Sequence, residues 1–106
     1  VAAGMCERFA RRADLIAARL HGTEGLAVHR PDAGMFALVD VRATGLSGQD
    51  FALSLLDREQ VAVMPGESFG SALAGWLRLA LTQPDPLIAE ACDRIAAHAH
   101  RLRAAA

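Results

Sequence analysis

An α+β domain, a small antiparallel or mixed sheet with helices packed against it, is what this sequence predicts. Three observations carry that prediction. Apolar residues recur at helical spacing near both ends of the chain. Four short β-prone runs come in two pairs, and a further helical stretch separates the pairs. The order is therefore helix, two strands, helix, two strands, helix, with no repeat or interior linker, so the 106 residues read as one domain. A chain of this length buries roughly 65% of its unfolded surface, enough for one core without staples.

The first helix is expected over residues 4–21. Met5, Phe9, Ala13, Ile16 and Leu20 are spaced by three and four, and Arg8, Arg11, Arg12 and Arg19 occupy the remaining surface as a solvated face. His21 and Gly22 close it, glycine supplying the left-handed conformation that ends many helices. Residues 26–30 and 35–41 then read as a hairpin around Pro31-Asp32-Ala33-Gly34, with Phe36 and Leu38 on one face and Met35, Ala37, Val39 and Val41 on the other. Both faces are expected to be largely buried. After the RATGLSG loop, Ser47 and Asp50 resemble a capping box opening a helix through about Glu59, with Phe51, Leu55 and Leu56 as its buried stripe. Residues 60–64 read as a strand, PGESFGSALAG as a glycine-bearing loop and WLRLALT as a further strand. Asp85 is expected to N-cap the last helix, with Pro86 at its first position and Ile88, Cys92, Ile95, Ala99 and Leu102 along its buried side. Arg101 and Arg103 then fall where the helix dipole favours cations.

Composition excludes several functions. A net charge of −1 lacks the footprint of a nucleic-acid binder. No apolar run is long enough to span a bilayer, and charges at Glu7, Arg8, Arg11, Arg12 and Asp14 interrupt any secretory h-region, so the cytoplasm is the expected location. Cys6 and Cys92 form no C-x-x-C pair and read as two reduced core thiols. All eleven basic residues are arginine, so the chain taken alone has no lysine for Schiff-base chemistry.

Three constellations could carry chemistry. Gly66-Glu67-Ser68-Phe69-Gly70 fits the G-x-S-x-G pattern of a nucleophile elbow, but SALAG runs on into a strand where an elbow needs a helix. Asp85 or Asp93 with His98 or His100 would give a triad the right chain order, yet all four lie on or beside one helix. Two helical histidines two positions apart diverge by about 200°, which also prevents His98 and His100 from meeting one metal ion; both are expected to face solvent. In WLRLALT, Leu77, Leu79 and Leu81 share one face and leave Arg78 between Trp76 and Ala80 on the other. An arginine flanked by apolar groups suits a carboxylate, because its planar fork donates two parallel hydrogen bonds.

The succession PDAGMFALVDV, FALSLLDREQVAVMPGESFG and GWLRLAL, followed by a terminal helix, resembles the C-terminal small domain of the pyridoxal-phosphate-dependent class I/II aminotransferases of fold type I. The resemblance covers nearly the whole of residues 1–106, with residues 1–22 similar to the long helix that enters that domain. Within the family, PDAGMFALVDVRATGLSGQDFALSLLD looks most like bacterial arginine–pyruvate transaminases. The resemblance implies that Arg78 pairs with the substrate α-carboxylate. It also implies that Pro65, Gly66, Phe69 and Gly70 belong to a loop at the active-site mouth, where Ser68 has no nucleophilic role. It further implies a parent enzyme that moves an amino group from an amino acid to a 2-oxo acid, usually as a homodimer. The lysine and the cofactor cradle such an enzyme needs lie in a large domain absent from this sequence, so the chain alone is expected to be inactive and to bind no pyridoxal phosphate. The alternatives are a stand-alone module that binds small carboxylates and a serine hydrolase fragment using GESFG.

Overall fold

The computed structural model describes residues 3–29 and 36–105; the side chains of residues 3–6, 69 and 105 lie outside that description. Its elements follow the expected order: α1 (Ala3–Leu20), β1 (Ala27–His29), β2 (Phe36–Asp40), α2 (Gly48–Glu59), β3 (Met64–Pro65), β4 (Trp76–Ala80) and α3 (Asp85–Ala105). The four strands form one sheet in the order β1-β2-β4-β3, and every pairing is antiparallel. The expected hairpin pairing of β1 with β2 is present, while its turn, Pro31 to Gly34, lies outside the described residues.

Alternation along the two central strands decides where the core sits. Ala37 and Val39 of β2 face the same way as Leu77 and Leu79 of β4, and all four are buried together with Val41 and Leu81. Ala13, Ile16 and Leu20 of α1, Phe51 and Leu55 of α2, and Ile88, Cys92, Ile95 and Ala99 of α3 join them in one cluster. The alternate strand positions, Phe36, Leu38, Trp76, Arg78 and Ala80, are only half-buried. One sheet face is therefore the core, and the other is the face that carries Arg78.

Several sequence expectations are corrected here. Leu56 is 49% exposed, and Ala52 takes its place in the buried stripe of α2. Around the helix axis Leu56 stands about 140° from Phe51, at the edge of the arc that Phe51, Ala52 and Leu55 occupy. Ser47 does cap α2, its hydroxyl accepting from the Asp50 amide at 3.1 Å. The last helix begins at Asp85 itself: the Pro84 carbonyl accepts the amides of Leu87 and Ile88, so Asp85 is not the cap. Its carboxylate is taken by Arg12, 2.8 Å away, which also donates to the Leu81 carbonyl. Arg12, only 12% exposed along its side chain, is thus a strut between α1 and α3 and does not belong to a solvated arginine face.

His98 is the second buried polar surprise. It is 1% exposed, its Nε2 lies 2.7 Å from the Ser54 hydroxyl and its ring meets Phe51 edge-on. His100 does face outward, against Glu24. The divergence expected from helical geometry holds, but α3 packs against both α1 and α2 and so buries a wider arc than one stripe. Burial pushes the His98 imidazole below its usual 6.5, and Arg101 and Arg58 push the same way against Glu59. The unfolded chain therefore takes up this proton at a higher pH than the folded one. Stability from His98 is complete above about pH 6.5 and is lost as the pH falls below it. The melting temperature should drop between pH 7.5 and 5.5, and His98→Gln, which has no titrating ring, should flatten that slope; an equal slope in both proteins would refute the assignment. Burial also raises the Cys92 thiol to about 11, which makes it an inert core group; the side chain of Cys6 lies outside the described residues.

Both sheet edges are short. Gly22 adopts the left-handed conformation at φ 80°, turning the chain so that His21 Nδ1 accepts the Val28 amide of β1 at 3.0 Å. At the other edge, β3 holds two residues, one of them proline.

Candidate functional site

The strand expected over residues 60–64 is corrected to β3 alone, and the correction shapes the site. Met64 pairs with Arg78 and Pro65 with Leu77, but the chain before Met64 does not continue that ladder. The gap left between residues 62–64, β4 and the first turns of α3 is a groove of about 280 Å³. Met64, Leu87, Ile88, Phe36 and Gln83 line it with Arg78, and Arg78 is the one charged residue among the described residues of its lining.

Strand alternation turns Arg78 away from the core face that Leu77 and Leu79 share, and at the strand edge both Arg78 and Leu79 line the groove. Its guanidinium carbon lies 3.7 Å from the centroid of the Phe36 ring. A cation stacked on a ring and surrounded by apolar side chains is poorly hydrated, which strengthens its attraction for an anion. The planar fork matches a carboxylate better than a single-point acceptor.

The loop residues sit beside this groove. Pro65 ends β3, and within the expected glycine-bearing loop Gly66–Phe69 and Ser71–Leu73 form two successive 3-10 turns. Pro65 and Ser68 line an adjoining depression with Leu53 and Leu56, sharing Ala62 and Val63 with the groove; Gly66 and Gly70 line neither. Gly70, at φ 122° and ψ 159°, has a conformation open only to glycine. Ser68 is exposed, and the two histidines proposed for it have other partners, Ser54 for His98 and Glu24 for His100. The structure brings no triad together at GESFG.

Sequence reasoning missed Glu67. Its carboxylate accepts the Gly48 amide at 2.9 Å and the Gly75 amide at 3.2 Å, tying the loop to the first turn of α2 and the start of β4. Burial pushes this carboxyl up, but hydrogen bonds from the backbone amides of Glu67, Gly75, Gly48 and Gln49 outweigh it and hold it below its usual value. The helix N-terminus also favours the charge. Nothing in the local pattern marks Glu67, since both partners are distant in sequence. Phe36, by contrast, was legible as a residue sharing a sheet face.

A sheet of this order, backed by three helices, has counterparts among known proteins. Residues 2–95 match the sequence profile of the family described as aminotransferase class I and II, and the chain belongs to that family. Among its relatives, arginine–pyruvate transaminase AruH of Pseudomonas aeruginosa is 50% identical over 92 residues, covering 87% of this chain and 23% of that protein. The aromatic aminotransferase of Pyrococcus horikoshii OT3 superimposes with a TM-score of 0.81 at 30% identity, over 89% of this chain and 25% of its own. A pyridoxal-phosphate-bound putative aminotransferase from Clostridium difficile 630 gives 0.79 at 28% identity, over 88% of this chain and 24% of its own. The chain thus spans about a quarter of the length of the relatives it matches. No helix among its described residues is long and apolar enough to cross a membrane.

Proposed function

We propose that this chain is the carboxylate-binding small domain of a pyridoxal-phosphate-dependent aminotransferase, the C-terminal domain of a longer polypeptide. The observation that carries the proposal is Arg78, the single charge among the described residues that line an apolar groove. In this reading Arg78 holds the carboxylate of the amino donor and then that of the 2-oxo acid, so both substrates are fixed at the same point. The loop from Pro65 to Gly70 stands at the mouth of the site, braced by Glu67.

The residues present do not fit the cofactor's covalent attachment. That bond needs a lysine amine, and every basic residue here is arginine. Pyridoxal phosphate would therefore be held by the large domain of the same polypeptide, and the 106 residues alone would transfer no amino group. The full-length protein is proposed to act as a cytoplasmic homodimer.

The name of the 50% identical relative selects the first substrates to try. Full-length protein incubated with L-arginine and pyruvate should form alanine. If neither L-arginine nor any other common amino acid gave up its amino group to pyruvate or 2-oxoglutarate, the proposal would fail.

A further inference from the structure

An arginine side chain has many rotamers, and one at the rim of an open groove must be held in a single orientation before it can present its fork to a ligand. Phe36 is placed to hold it. The register pairs Phe36 with Ala80 and Leu38 with Arg78, so Phe36 and Arg78 project from the same sheet face as diagonal neighbours on adjacent strands. At 3.7 Å from guanidinium carbon to ring centroid, the two are stacked. All five guanidinium donors lie in the plane of the group, so a ring over one flat face covers none of them.

A second arginine also lies over a ring. Arg42 is 5.7 Å from the Trp76 ring and forms a forked pair with Asp40 at 2.7 to 3.1 Å. That pair is closed within the chain and lines none of the groove.

We propose that Phe36 is a positioning residue for substrate recognition: its ring fixes the plane of Arg78, so that a planar carboxylate docks edge-on in the groove. The inference rests on the reading of Arg78 as the carboxylate anchor. It carries a signature of its own. A residue acting through Arg78 weakens every carboxylate substrate by the same factor, whereas one touching the substrate side chain changes its preference among them.

The test uses the full-length protein and measures binding of pyruvate and of L-arginine, two carboxylates with very different side chains. Phe36→Leu should weaken both by roughly 3- to 30-fold and by equal factors, the range expected for loss of a cation–ring contact. Phe36→Tyr, which keeps the ring face, should stay within about twofold of wild type. Should Phe36→Leu fail to fold, Phe36→Met takes its place with the same expectation. Unequal factors, wild-type binding in the aliphatic variant, or a Tyr variant as weak as Leu would each overturn the positioning role. Arg78→Lys separates the two levels. If it is impaired while Phe36→Leu is not, only the positioning role falls. If Arg78→Lys binds both carboxylates as wild type does, the anchor reading falls and takes the positioning role with it.

Discussion

Arg78→Lys in the full-length protein should lower kcat/KM by roughly 30- to 1,000-fold, the equivalent of about 2–4 kcal/mol for truncating one side of a desolvated charge pair. The size of the effect follows from the surroundings. Met64, Leu87 and Ile88 are apolar and Gln83 is neutral, so among the described residues of the lining no second charge shares what Arg78 supplies. An ammonium keeps the charge but loses the two parallel hydrogen bonds and the flat surface that rests on Phe36. Arg42→Lys is the matched control. That side chain is on the surface, paired with Asp40 and outside the groove, so its exchange removes a forked pair without touching the site and should leave kcat/KM unchanged. Steady-state kinetics on the three proteins would decide the matter, and near-normal kcat/KM in Arg78→Lys would remove it from the site.

Gly66→Ala should destabilise the fold by about 3 kcal/mol or more and lower its melting temperature by roughly 10–20 °C. A Cβ at this position would fall inside the contact radius of the Leu73 carbonyl oxygen and within 2.8 Å of that of Trp76. Both are backbone atoms, and Trp76 is fixed by its pairing with Asp40, so neither can swing aside as a side chain would. The strain enters between the Pro65–Leu77 pair and the amides that Glu67 holds, two steps along the chain from the residue that pairs with Arg78. Ser68→Ala in the same loop should leave both melting and turnover unchanged, since Ser68 is exposed. Thermal unfolding of the two variants checks the contrast. A Gly66→Ala midpoint within a couple of degrees of wild type would show that the close approach at Gly66 is relaxed in solution.

Why some of this was readable in the sequence and some was not has a physical basis. Periodicity reports which residues face a single neighbour, and it located α1, the core side of β4, and the row from Ile88 to Ala99; for β2 it sorted the two faces but expected both to be largely buried, whereas Phe36 and Leu38 are only half-buried. It fails where one element meets two others. His98 lies about 80° from Ile88 around α3, outside a single stripe, yet α2 covers that flank and buries it. Arg12 lies within about 20° of Met5, and the signal was available: the charge at the edge of an apolar arc is accommodated because Asp85 stands opposite. The VAVM run has strand composition, but a strand also needs a partner, and the ladder with β4 ends at Met64. Arg78 was legible because strand alternation alone turns it from the core. Glu67 was not, because its partners Gly48 and Gly75 are brought to it only by the fold.

The outer margins of the sheet bear on how copies of this chain behave toward one another. An exposed strand recruits another through rows of unused amides and carbonyls. Here the row on one side is three residues long, with its Val28 amide already donated to His21. The row on the other side is two residues long, and Pro65 has no amide to give. Neither margin offers a template on which a passing chain could lengthen the sheet, so the described residues resist the first step of edge-to-edge aggregation even though more than half of the sequence is apolar.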